Sequence, residues 1–248
     1  MMEPARPIGF DRKVRLSWLD ATAEWAARGM DAEDIRKKLD FLLQGEVSGK
    51  DARRKTKTVL LRVWVLTSEE LKGLRDRGLE LFPDQTPSGR LALHWGMSLA
   101  TYPFLRDVAT TVGRLLNLQG AFSVSQARSR LAEVYGEREI LARALRHVLR
   151  SLVEWDVLRA ADEKGVYLSS PKRSIEDEKV VFWLIEAMLR ASGSDAAALS
   201  ALLNSTALFP FEIGYIDRTA LEKSGGLEIY RQSLDEDLVM LPRSAVPR

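Results

Sequence analysis

The sequence predicts a mainly α protein: an N-terminal helical bundle, then a winged helix-turn-helix with a small β-hairpin wing, then a C-terminal α/β extension. Three observations lead there. Apolar residues recur at helical spacing through most of the chain up to Ala191. One stretch, Pro103–Leu168, runs helix, short extended piece, helix, glycine turn, helix, hairpin. Beyond Ser192 the pattern breaks into short apolar runs divided by Gly, Pro and acidic residues.

Arg12–Arg28 reads as the first helix, with Leu16, Leu19, Ala23 and Ala26 on one side and Gly29 as its stop. Asp31 is placed to cap a second helix whose apolar face is Ile35, Leu39, Leu42 and Leu43. Ser48 is placed to cap a third, running to about Val65 with Val59, Leu60, Val63 and Trp64 inside. Thr67 and Glu70 have capping-box spacing and open a fourth. Residues 1–89 therefore read as one bundle. Phe82–Gly89 carries Pro83, Pro87 and Gly89, which predicts a linker. Residues 90–174 form the second unit, in which Arg90–Ala100 and Pro103–Leu118 resume as helices. His94, alone on the first of these, reads as a packing residue rather than a ligand.

The second unit carries the functional signal. Ser123 or Ser125 caps a helix to Tyr135, Gly136 turns the chain, and Glu137–Glu154 is a long amphipathic helix. Trp155–Arg159 and Val166–Leu168 flank the turn Asp162–Gly165 and predict the hairpin. On the long helix Ile140, Leu141, Ala144, Leu145, Val148, Leu149 and Leu152 face inward. Arg143, Arg146, His147 and Arg150 recur at helical spacing on one outer face. Arginine there can pair with guanine edges or with phosphate. Arg128 and Arg130 on the preceding helix, Lys164 in the wing, and Lys172 and Arg173 after it extend the basic surface. A second stripe, Lys50, Arg53, Arg54 and Lys57, repeats the same spacing on the third helix, with Lys55 and Arg62 nearby and no acidic residue between Ala52 and Leu66. It suits phosphate contacts that give affinity without sequence readout. Each stripe has a plainer reading. Either can be a solvated helix face with pairs such as Glu139–Arg143, or a contact for an acidic partner or for the acidic part of the chain itself.

Charge placement favours the middle of the chain as the site for a polyanion. Net charge is +2, yet residues 90–175 carry 13 basic and 8 acidic side chains, whereas residues 176–248 carry 7 and 12. There is no cysteine, which excludes disulfides, thiol catalysis and zinc–cysteine sites. No P-loop, dinucleotide fingerprint, H-E-x-x-H or nucleophile elbow occurs, so no enzyme and no cofactor is expected. Without a membrane-length apolar run or a signal-like leader, the expected setting is soluble and cytoplasmic.

Residues 175–248 read as a third unit. Ile175–Ala191 is an apolar helix, and Asp195 is placed to cap a short helix to Leu203. Leu208–Tyr215 is apolar and non-helical, with Phe209, Phe211 and Tyr215 read as core, as is Tyr230 further on. Leu227–Gln232 and Asp237–Leu241 are candidate strands around the acidic turn Leu234–Asp237. Asp235, Glu236 and Asp237 lack the pattern of a calcium loop. The segment after Leu241 is expected to be disordered.

With Trp25–Gly29, Ile35–Leu43 and the Lys50–Trp64 helix in view, the layout of residues 12–170 resembles the BrxA-type proteins of bacteriophage-exclusion (BREX) defence islands. That resemblance implies a small helical DNA-binding accessory protein without enzymatic motifs, and carries over no catalytic residue. The expected function is therefore non-enzymatic binding of double-stranded DNA, with other defence-system proteins as further partners. A protein–protein adaptor and an RNA-binding protein are the alternatives.

Overall fold

The computed structural model describes residues 6–231 and 236–242. An extended arm, residues 6–15, leads into α1 (Leu16–Ala27), α2 (Ala32–Gln44), α3 (Lys50–Trp64) and α4 (Glu69–Leu81). A 3-10 turn at Phe82–Asp84 turns into α5 (Pro87–Thr101), which is followed by α6 (Pro103–Gln119), β1 (Ala121–Ser123), α7 (Val124–Tyr135) and α8 (Glu139–Glu154). Next come β2 (Leu158–Ala160), β3 (Val166–Ser169), β4 (Arg173–Ser174) and α9 (Glu178–Ser192). The C-terminal part holds β5 (Ala196–Ala198), α10 (Leu199–Leu203), a 3-10 turn at Thr206–Leu208, β6 (Phe211–Glu212), α11 (Arg218–Lys223), β7 (Glu228–Arg231) and β8 (Asp237–Met240).

The protein is mainly helical with small sheets. Two helices make its centre: every residue from Leu91 to Leu99 on α5, and from Val180 to Leu189 on α9, is buried. They approach closely because Gly96 has no side chain; a Cβ there would meet the Trp183 ring at 2.6 Å. Around this pair the buried apolar residues join in a single cluster that runs from Phe10 to Val239. A buried carboxylate links α9 to α4: Glu186 accepts from Arg77 at 2.5 Å and from Arg190 at 2.8 Å. Two cations on one buried acid satisfy a charge that would otherwise be costly to desolvate.

Between α6 and β3 the chain makes a compact sub-structure. β1 and β2 both pair antiparallel with β3, with Phe122 opposite Tyr167 and Arg159 opposite Leu168. α6, α7 and α8 pack on one another, and Phe122 is buried and stacks on Tyr167. Elsewhere β4 pairs parallel with β6, and β5, β8 and β7 form an antiparallel sheet in that order.

Several sequence expectations change. Arg12–Arg15 belong to the arm, not to α1. Asp31 does cap α2, accepting from the amides of Glu33 and Asp34 at 2.9 Å. The α3 cap is Gly49 at φ 89, not Ser48, and α4 is entered through Ser68 while the Thr67 hydroxyl donates back to the Val63 carbonyl. Phe82–Gly89 is no linker. Phe82 is fully buried, Thr86 caps α5, and Pro87 occupies the first helical turn, where its missing N–H has no helical partner to lose. Asp195 caps nothing: Ala196–Ala198 is a strand, and Ala198 precedes α10. The acidic turn expected at Leu234–Asp237 lies partly, and the segment from Arg243 onward wholly, outside the described residues. Among the described residues no helix is long and apolar enough to cross a membrane.

Candidate nucleic-acid interface

The order helix, strand, helix, helix, hairpin places α8 on the outside of the α6–β3 sub-structure. The placement starts locally. Ser123 accepts from the Gln126 amide at 3.2 Å, while the Gln126 side chain accepts from the Ser123 amide at 2.8 Å, a reciprocal cap that starts α7. Gly136, at φ 73, ends it. α8 then buries Leu141, Ala144, Leu145, Val148, Leu149 and Leu152.

The opposite face carries the predicted stripe. Arg143, Arg146 and Arg150 are exposed, and none makes an ion pair or side-chain hydrogen bond among the described residues. The Glu139–Arg143 pair does not form. His147 is half-buried, and its Nδ1 is enclosed with no hydrogen-bond partner. Burial pushes the pKa of His147 down; Arg12, Arg150 and Arg143 push it further, and Asp11 opposes them.

Arg12 reaches this cluster because the arm lies along α8. Arg138, at the start of α8, donates to the carbonyl of Arg6 at 3.1 Å. Phe10 is buried, edge-on to Tyr102 at 5.5 Å and to Trp155 at 6.0 Å. Near the far end the Val14 amide donates to Ser151 Oγ at 2.8 Å, Trp155 Nε1 donates to the Val14 carbonyl at 2.9 Å, and the Leu16 amide donates to Glu154 at 2.8 Å. The arm and α8 therefore run in the same direction. Sequence reading missed Arg12 because the periodicity of the first helix extends smoothly back over it.

The other predicted site residues divide into free and engaged. Lys164 in the β2–β3 turn and Lys172 after β3 are exposed. Arg173 pairs with Asp156 at 2.8 Å. Arg128 pairs with Glu137 at 2.6 Å and Arg130 with Glu133 at 3.3 Å. The α3 stripe is largely occupied. Lys57 is only 14% exposed and holds Asp40 of α2 at 2.5 Å. Arg54 lies 3.5 Å from Asp51, and Arg53 donates to the Val47 carbonyl at 3.2 Å. Of that stripe only Lys50 stands exposed without a partner among the described residues.

The remaining titratable candidates serve the core. His94 is fully buried: its Nδ1 accepts from Trp64 Nε1 at 2.9 Å, and its Nε2 lies 3.1 Å from Asp20. Burial lowers its pKa, with Asp20 opposing. Asp237 pairs with Arg218 at 3.2 Å, and among the described residues no group of acidic or histidine side chains is placed to hold a metal ion. Phe209 and Phe211 are core, stacking edge-on against Trp95, whereas Tyr215 and Tyr230 are exposed. Compared with known proteins, the chain matches no family model, no curated protein and no solved structure.

Proposed function

We propose that this protein binds double-stranded DNA, non-enzymatically, through a winged helix-turn-helix formed by α6, β1, α7, α8 and the β2–β3 hairpin. α8 is the helix presented to the major groove, and the β2–β3 turn with Lys164 is the wing against the backbone. The observation that carries this reading is the state of Arg143, Arg146 and Arg150: exposed, on one face, and unpaired among the described residues, in a molecule that pairs many of its other arginines. Three such cations on a helix packed along its whole inner face provide phosphate or guanine contacts without first breaking internal bonds.

The reading narrows the part played by α3. Asp40, Asp51 and the Val47 carbonyl already hold Lys57, Arg54 and Arg53, so α3 contributes mainly through the exposed Lys50 and Lys55. The resemblance to BrxA-type proteins supplies a setting for the activity, an accessory role in phage defence beside other defence-system proteins; co-purification of a stoichiometric partner that survives nuclease treatment tests it.

The direct test is fluorescence anisotropy with a mixed-sequence duplex of about 30 base pairs across a salt series. Micromolar or tighter binding with a steep log–log salt slope is expected. No binding at low salt would sink the proposal and leave the protein-adaptor reading in front. Preference for an RNA duplex over DNA in competition would redirect it to RNA.

A further inference from the structure

The arm and α8 share a seam with an unusual polar inventory. Nitrogen atoms of three side chains along it are buried and without a hydrogen-bond partner: Arg12 Nε, His147 Nδ1 and Arg138 Nε. These atoms are closed off from solvent, but the Arg12 side chain keeps 20% of its surface exposed beside them. The charged groups facing His147 are Arg143 and Arg150 from α8, and Asp11 and Arg12 from the arm. Asp11 is the one acid among them, and it approaches Arg12 only to 3.8 Å, beyond hydrogen-bonding distance. Around His147 the seam therefore sets three arginines against one acid.

The arm is built to keep Arg12 there. Extended chain from Arg6 to Val14 can reach about 26 Å at roughly 3.3 Å per residue, and α8 from Arg138 to Ser151 rises about 20 Å at 1.5 Å per residue. The slack is taken up at Phe10, whose φ of 55 kinks the arm as its ring enters the core. Arg12 lies between two fixed points, the Phe10 ring and the Val14–Ser151 hydrogen bond.

We infer that the arm is part of the DNA-binding surface, and that Arg12 joins Arg143, His147 and Arg150 in holding a backbone phosphate at the arm–α8 seam. This rests on the DNA-binding reading above. A phosphate at the surface meets the exposed fifth of the Arg12 side chain, whose one ion-pair partner among the described residues is Asp11 at 3.8 Å. It also cancels the cationic field on His147, so binding draws a proton onto that ring, and affinity rises as pH falls.

The test uses the full chain and the same duplex, titrated at several salt concentrations and at pH 8 and 6. Arg12→Gln is expected to weaken binding about five- to tenfold and to reduce the salt slope by about 1, as loss of one phosphate contact does. Arg12→Lys, which keeps the charge, holds the slope near wild type. Wild-type affinity gains up to about tenfold per pH unit toward pH 6, and His147→Gln abolishes the gain. Unchanged affinity and slope in Arg12→Gln, while Arg143→Gln weakens binding, would overturn the role of the arm and leave DNA binding standing. Equal weakening by Arg12→Lys and Arg12→Gln at an unchanged melting temperature would overturn it too, since charge would not be what acts. No duplex binding by the wild type would remove both readings together.

Discussion

α3 and α8 carry basic stripes of identical spacing, yet the fold gives them opposite fates. On α3 two of the cations are taken up by the fold, Lys57 by Asp40 on the neighbouring helix and Arg53 by the Val47 carbonyl, while Arg54 pairs with Asp51 on the surface of the helix itself. On α8 Arg143, Arg146 and Arg150 make no ion pair among the described residues, and the arm adds Arg12 beside them. A stripe of charge in a sequence therefore reports a face, not a free face. Whether the charge remains available is decided by elements distant in sequence.

Five sets of substitutions, and a change of pH, test the contrast. Phe10→Ala should act most strongly. It removes a fully buried ring that pins the arm to α8, and a loss of about 3–5 kcal/mol is expected in urea unfolding. Charge reversal comes next. Arg143→Glu with Arg150→Glu should weaken duplex binding at least about 100-fold, roughly 2.7 kcal/mol, in anisotropy titrations. Arg54→Glu with Lys57→Glu should weaken it no more than about fivefold, because those side chains are already engaged. Equal losses from the two pairs would break the contrast. Ser123→Ala removes the cap that sets α7 beneath α8 and should lower stability by about 1 kcal/mol in thermal unfolding.

The pH axis adds a check of similar size. Burial depresses the pKa of His94, and of His147, in the folded protein. The unfolded chain thus takes up protons first, and stability falls as pH drops below about 6.5, the ordinary histidine value. Urea midpoints at pH 7.5 and 5.5 should differ in the wild type and differ less in His94→Gln. The smallest effect is expected from freeing the α3 cations. Asp40→Asn with Asp51→Asn should raise affinity for DNA about two- to threefold, with stability changed by less than about 1 kcal/mol.

Much of the architecture was legible from local signals. The cap at Ser123, one of two serines the pattern allows, the glycine turn at Gly136 and the inward face of α8 are short-range features, and they appear where sequence pattern places them. Features set by distant partners were not legible. Ala196–Ala198 looks helical by composition, and it becomes a strand because Leu238–Met240 pairs with it. Pro87 and Gly89 look like a linker, yet Thr86 caps a helix across them. The arm resembles the start of α1 until the Phe10 ring finds the space beside Tyr102 and Trp155. The stripe on α8 was visible from spacing alone, whereas its freedom and the presence of Arg12 beside it required the folded chain.

The 3-10 turn at Thr206–Leu208 packs along α6, with a mechanical consequence. α6 braces α7 and α8 from one side, and on its other side Gly113 presses against the backbone of Thr206 so closely that a Cβ would overlap the carbonyl. The Thr206 hydroxyl also donates to the Thr110 carbonyl at 2.9 Å. α6 is thus an element through which the basic sub-structure is fastened directly to the C-terminal region, where residues 176–248 carry 7 basic and 12 acidic side chains. Two regions of opposite charge balance joined through one helix respond to an external field as one body rather than as two.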